Sequence, residues 1–432
     1  TRTGYDFAGW KILGADYEAG SIVEQGNNFT AIDGSTVTAR AIWTPITYTV
    51  QYSAGEGATG TVESATFTYD AENSLSYGHG LSKTGYTFDG WYVSGQSGAT
   101  YRPGAIRHNF TSVKGATVTL VASWKANIYY VRYDANGGTG TMSNSTLTYD
   151  ASNNTLKANT FTREGYTFFG WSIGGTVYPA GNVAQGTDFS SVQGSTVVAL
   201  AQWKANTYYI NYVSGGGSGT MAMSEFTYDA SDNVLKANTF TRTGYTFAGW
   251  EINGNVEQAG AVEQGVNFAS TQGATVRATA QWSPITYIVS YEGGADGVTG
   301  STQNSIFTYD SASNALKPNG FARTGYTFVC WVINGAEYNS GAVNQGMNFA
   351  STQGAIVTAT AKWQANSYTV RYDANGGEGS MSNSTFTYDG ANNSLKANGF
   401  TREGYRFVGW RINGTVYSAG AVAQGTNFAS AN

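Results

Sequence analysis

A chain of 432 residues with a formal net charge of −5, 12% charged residues, two histidines and one cysteine excludes several classes at once. No basic stretch is long enough to track nucleic acid, and Cys330 alone builds neither a disulfide framework nor a multi-cysteine zinc site. No apolar run reaches the length of a membrane span, whereas 57 Gly, 30 Tyr and 14% aromatic residues point to short strands and tight turns.

The first predicted element, Gly4-Tyr5-Asp6-Phe7-Ala8-Gly9-Trp10, returns five times, beginning at Gly85, Gly165, Gly244, Gly325 and Gly404. The steps are 81, 80, 79, 81 and 79 residues. A second marker keeps the same period at Trp43, Trp124, Trp203, Trp282 and Trp363, so all 11 tryptophans belong to one series or the other. A solenoid repeat runs roughly 20–50 residues. A unit near 80 residues can bury a core of its own, and the expectation is a tandem array of small-sheet domains. The units read as 46–126, 127–205, 206–284 and 285–365, with a second half at 1–45 and a unit lacking its last strand at 366–432. The two end pieces both carry the Gly-Tyr motif, and the chain opens on Thr1, so it reads as a piece of something longer.

Within 127–205 the β-branched and aromatic run 128–134 predicts a strand, and the Asn-Gly-Gly turn at 136–138 predicts a hairpin. The run 145–150 returns antiparallel. The polar stretch 151–165 predicts a loop with one turn of helix. Residues 166–173 form the third strand, Gly174-Gly175 a turn, 176–179 a short fourth strand, and the irregular stretch after it holds a helical turn. The last strand, 196–203, alternates cleanly: Val197, Ala199, Ala201 and Trp203 share one face. The same pattern recurs as Val118, Leu120, Ala122, Trp124 and as Val276, Ala278, Ala280, Trp282.

In the recurring motif, strict alternation puts the tyrosine and phenylalanine on one face and the tryptophan on the other. A bulge at the glycine would return the tryptophan to the core. Cys330 occupies that glycine position once, which predicts a need for a small residue rather than for positive φ. The structural motif is thus Tyr86, Phe88, Trp91 and Trp124 in one unit, Tyr166, Phe168, Trp171 and Trp203 in the next, then Tyr245, Phe247, Trp250 and Trp282, and Tyr326, Phe328, Trp331 and Trp363. These read as a core copied from unit to unit, in preference to a carbohydrate-stacking platform.

The ordered motifs Tyr-Thr-Val (368–370), Asn-Gly-Gly (375–377), Gly-Tyr-Arg-Phe-Val-Gly-Trp (404–410) and a closing strand ending in Trp363 resemble the Listeria–Bacteroides repeat, or internalin B-repeat, family. The likeness covers essentially the whole chain. It implies a β-rich, β-grasp-like fold with minor α content and tandem arrays in secreted or cell-surface proteins of bacteria or archaea, with no shared catalytic residues. The units here depart from the family in an added stretch such as Ala261 to Phe268.

Other readings are weaker. Asp134 and Asp373 sit in hairpin turns rather than in a calcium loop, because no bidentate glutamate follows at the required spacing. Asp70, Asp150, Asp229, Asp310 and Asp389 each end a Tyr-Asp strand. They read as making local hydrogen bonds rather than a bond to Lys157, Lys236, Lys317 or Lys396. His79 and His108 occur in one unit only and read as loop residues. Joints such as Trp-Lys-Ala-Asn and Trp-Thr-Pro-Ile are too short to be flexible linkers and predict a semi-rigid, elongated rod. The function expected is a non-enzymatic stalk, adhesin shaft or filament component, extracellular or at the cell surface and without cofactor or nucleic acid. Its partners would be neighbouring repeats end to end and lateral copies in a fibre or layer. The alternative is an adhesive module that binds a surface glycan or protein receptor through many copies.

Overall fold

The computed structural model describes residues 1–24, 28–98 and 100–430. They divide into two compact units, Thr1–Asn206 with Ser270–Gln272, and Thr207–Ala269 with Gly273–Asn432. Both are built from strands alone. The minor helical content expected within 151–165 and 180–195 is corrected: there is no helix among the described residues. Instead, the Asn154 side chain donates to the Thr148 carbonyl at 2.7 Å and accepts from its N–H at 3.0 Å. These side-chain bonds satisfy the backbone where a helical turn would otherwise do so.

The stretch 127–205, in the first unit, shows the plan. Its strands are β1 (Ile128–Asp134), β2 (Ser145–Thr148), β3 (Thr155–Leu156), β4 (Tyr166–Ile173), β5 (Thr176–Tyr178), β6 (Gly181–Asn182) and β7 (Thr196–Ala205). The main sheet runs β2-β1-β7-β4-β5, and β3 pairs with β6 in a small ribbon. β1 and β7 are parallel, with Val131 opposite Val197 and Tyr133 opposite Ala199. β7 and β4 are antiparallel. The second unit repeats this order in Thr207–Pro284 and Thr286–Ala365. In 46–126 the sheet has four strands, with a single bridge from Trp91 to Tyr101 at the fifth position. The end piece 1–45 keeps three strands, and 366–430 only two-stranded pairs.

Alternation turns Tyr129, Val131 and Tyr133 inward and leaves Tyr130 and Arg132 outside. The small side chains of Ala199 and Ala201 open space for the Trp171 ring, which packs 4.7 Å from Tyr133 and 4.8 Å from Phe168. Its indole N–H donates to the Lys157 carbonyl at 2.9 Å, and that of Trp203 to the Ala135 carbonyl at 2.9 Å. Each tryptophan therefore fills the core and ties a loop to the sheet.

The tryptophan reaches that core through a bulge. The register shifts between Phe168 and Gly170, between Phe247 and Gly249, and between Phe328 and Cys330. The extra residue faces out, and Phe169 in that position is 67% exposed. A Cβ on Gly249 would lie 2.6 Å from Val256 Cγ1 and 3.0 Å from the Glu257 carbonyl oxygen. At Cys330 the facing residue is Glu337 instead of valine. Unbranched at Cβ, Glu337 turns to pair with Lys362 and accepts from the Cys330 thiol at 3.5 Å. The cysteine is accommodated by a paired change across the hairpin. Gly249 has φ 150°, whereas Cys330 adopts no positive φ.

Gly249→Cys alone is therefore expected to cost about 1–3 kcal/mol in denaturant melts through overpacking. Adding Val256→Glu is expected to recover part of the loss, the share owed to the valine methyl. A single variant that melts like the parent would contradict this account of the bulge.

Candidate functional site

Among the described residues no three His, Cys, Asp or Glu side chains gather as a metal cluster would. The constellation that recurs lies at the joint between successive sheets. Its parts come from two successive repeats: the start of the Gly-Tyr strand on one side, and the Tyr-Asp corner of the following repeat on the other.

Within the second unit, Asn366 links two repeats by backbone bonds. Its N–H donates to the Gly325 carbonyl at 2.9 Å, and its carbonyl accepts from the Tyr388 N–H at 2.8 Å. The Tyr326 ring stands edge-on to Tyr388, centroids 5.7 Å apart, and its hydroxyl donates to Asp389 Oδ2 at 3.1 Å. The Arg323 guanidinium lies over the Tyr326 ring, 3.7 Å from its centroid. Gly325, at φ 81°, lies under the Tyr388 ring, where a Cβ would come within 2.3 Å of ring carbons. Glycine is required twice over, by the left-handed backbone and by the approach of the ring.

The geometry repeats. Tyr245 donates to Asp310 at 3.1 Å under Arg242, with Gly244 beneath Tyr309. In the first unit Tyr5 donates to Asp70 at 2.9 Å under Arg2, with Gly4 beneath Tyr69. Ile46, Asn127 and Ile285 make the same pair of backbone bonds as Asn366. In the last copy Tyr405 keeps Arg402 over its ring at 4.1 Å and is 69% exposed.

The aspartate is preorganised. Asp70, Asp310 and Asp389 all sit at φ between 52° and 57°, a region that Asp and Asn tolerate better than most residues. Their N–H groups donate to the side chains of Asn109, Asn348 and Asn427 at 2.7–2.9 Å. The same asparagines donate back to Oδ1 at 2.6–2.7 Å, which leaves Oδ2 for the tyrosine. These asparagines escaped the sequence reading. The available signal was their place before phenylalanine in the added stretch, as in Asn348-Phe349.

Electrostatics follow the bonds. The amide of Asn109, then the Tyr5 hydroxyl, holds the Asp70 carboxyl below its ordinary range. The bond to Asp70, then desolvation, raises the Tyr5 phenol, and desolvation ahead of the aspartate bond raises Tyr245 and Tyr326. Burial pushes the core phenol of Tyr129 up to about 12. A depressed carboxyl stabilises above its unfolded value near 3.9 and loses that contribution as pH falls through the folded value. A raised phenol stabilises below about 10 and loses its contribution as pH climbs through the raised value. The thermal midpoint is thus expected to be flat between about pH 4 and 10 and to fall on both sides. A midpoint that rises above pH 10 would contradict these assignments.

The other sequence candidates have plain roles. Trp91, Trp171, Trp250 and Trp331 are fully enclosed, and Phe88, Phe168, Phe247 and Phe328 pack against the same cores with Trp124, Trp203, Trp282 and Trp363. The motif tyrosines differ from the core reading: Tyr86, Tyr245 and Tyr326 are half buried and turn to the next repeat. Lys157 and Lys236 cap hairpin carbonyls rather than bonding an aspartate. Asp134 accepts from the Asn136 N–H at 3.0 Å inside its own turn, and His79 stacks on Tyr77.

A sequence model of the Listeria–Bacteroides repeat domain matches residues 48–122, 129–197, 208–276, 287–352 and 368–428. The chain is 27% identical over 385 residues to a protein of Evansella cellulosilytica named as a Gly-rich membrane protein, covering 87% of this chain and 40% of that one. A second protein of the same organism, also named as a membrane protein, is 24% identical across 68% of this chain and 40% of its own length. The chain spans less than half the length of either relative. The solved Bacillus anthracis TIE protein is 10% identical over 73% of each chain, with a TM-score of 0.26, too low to carry a fold argument. No described helix is long and apolar enough to cross a membrane. Five matches that follow one another along the sequence establish the identity: the chain belongs to the Listeria–Bacteroides repeat family.

Proposed function

We propose that this chain is a non-enzymatic, load-bearing region of a larger extracellular or cell-surface protein, working as a semi-rigid stalk or adhesin shaft. The observation that carries this reading is the joint. Successive sheets are separated by a single residue, the same pair of backbone bonds recurs at each joint inside both units, and the Tyr-Asp bond is 2.9–3.1 Å at three of those joints. Such a contact limits bending in a way that a solvated linker does not. On this reading the repeats run 46–126, 127–205, 206–284 and 285–365, with partial repeats at 1–45 and 366–432. Each is a β-grasp-like mixed sheet, with the motif aromatics as its core. The strand edges, rich in Thr, Tyr and Val, offer a route to lateral assembly into a fibre or layer. The repeated motif turns its tryptophan inward, which favours a structural over a glycan-stacking role.

Small-angle scattering of the full chain tests the reading. An array of about 80-residue globules stacked end to end predicts a skewed distance distribution reaching on the order of 150–200 Å. A profile typical of a compact particle would overturn the rod, and a featureless flexible-chain profile would overturn the docked joints.

A further inference from the structure

One joint departs from the others at each polar contact around its tyrosine and aspartate. In place of the arginines over Tyr5, Tyr245 and Tyr326 at 3.7–3.9 Å, Lys83 stands 4.7 Å from the Tyr86 ring. Where the other joints set an asparagine beside the aspartate, Asp150 meets Asp188. The Tyr86 hydroxyl lies 3.5 Å from Asp150 Oδ2, against 2.9–3.1 Å elsewhere.

The three departures act in one direction. An ammonium is a compact, strongly hydrated charge and stacks on a ring less well than a planar guanidinium. Asp188 accepts the Asp150 N–H through both oxygens at 3.0 Å, but it has no amide proton to return to Oδ1. Two neighbouring carboxylates also repel where Asn and Asp attract. The opposite side of the joint is intact. Thr87 Oγ1 donates to Asn127 Oδ1 at 2.6 Å, Asn127 Nδ2 donates to the Ser191 carbonyl at 2.7 Å, and the two backbone bonds of Asn127 are kept.

We propose that the joint between 46–126 and 127–205 is a built-in hinge, with Asn127 as its pivot and the contact from Tyr86 to Asp150 as the edge that opens. The inference rests on reading the other joints as rigid, and the test separates the two claims. Spin labels are placed in the full chain carrying Cys330→Gly, at Ser64→Cys and Asn144→Cys across this joint. A second sample is labelled at the equivalent exposed positions Asn304→Cys and Asn383→Cys across the joint at Tyr326. Loss of one charge-assisted hydrogen bond predicts an open population larger by roughly tenfold across the first joint. Lys83→Arg with Asp188→Asn is expected to narrow that distance distribution to the width of the second. Arg323→Lys with Asn427→Asp is expected to broaden the second. Narrow distributions at both joints would overturn the hinge and leave the rod standing. Broad distributions at both would overturn the rigid-joint reading and the hinge with it.

Discussion

Trp331→Ala is expected to unfold the repeat around it within an otherwise folded chain. Removing a fully buried tryptophan costs about 3–5 kcal/mol in lost transfer and cavity energy. Trp331 packs 4.7 Å from Tyr291 and 4.9 Å from Phe328, and its indole N–H donates to the Lys317 carbonyl at 2.9 Å. Alanine leaves that carbonyl without its partner, at a further cost of about 1–3 kcal/mol. A unit of some 80 residues has about 4–12 kcal/mol of stability in all, so the loss takes most of it. Amide exchange should show residues 285–365 losing protection while 46–126 keeps it. Trp331→Phe retains a ring and gives up only the donor and some area, so it is expected to cost less than half as much. Unchanged protection in 285–365 after Trp331→Ala would mean that the tryptophan is not what holds this core.

Much of this architecture was legible in the sequence because local signals agreed with one another. The period of the Gly-Tyr and Trp series marked the repeats, and alternation in 196–203 marked the inward face that the structure shows as Ala199 and Ala201. The bulge was legible from one conflict, a tryptophan on the wrong side of a strict alternation, and the register shift at Gly249 resolves it. The small ribbon of Thr155–Leu156 and Gly181–Asn182 was not legible. Two-residue strands leave no periodicity, and the Asn154 bonds that fix the neighbouring strand end depend on chain folding back over six residues. The joint was half legible. Its brevity pointed to docking, but Tyr326 carries the alternation of a core residue, and Asp389 lies 63 residues away. Only the assembled repeat shows that one strand serves its own core through Trp331 and the next repeat through Tyr326.

The largest effect expected at a joint is that of Gly325→Ala. A Cβ at φ 81° costs about 1–2 kcal/mol in backbone strain alone. It also displaces the Tyr388 ring, which endangers an aromatic contact of about 0.5–1.5 kcal/mol and the bond from Tyr326 to Asp389, about 1 kcal/mol. Gly404 provides the comparison, since it has φ 76° but nothing within 4 Å of its would-be Cβ. Gly404→Ala should therefore show the strain without the joint. The measurement that tests the docked joint most directly is a double-mutant cycle between Gly325→Ala and Tyr388→Ala, read from equilibrium unfolding of the full chain. Docking predicts that Gly325→Ala costs about as much as Gly404→Ala once the Tyr388 ring is gone, with a coupling of at least about 1 kcal/mol. Additivity within about 0.5 kcal/mol would mean that the ring and the glycine do not press on each other, and would contradict the aromatic docking of one repeat on the next.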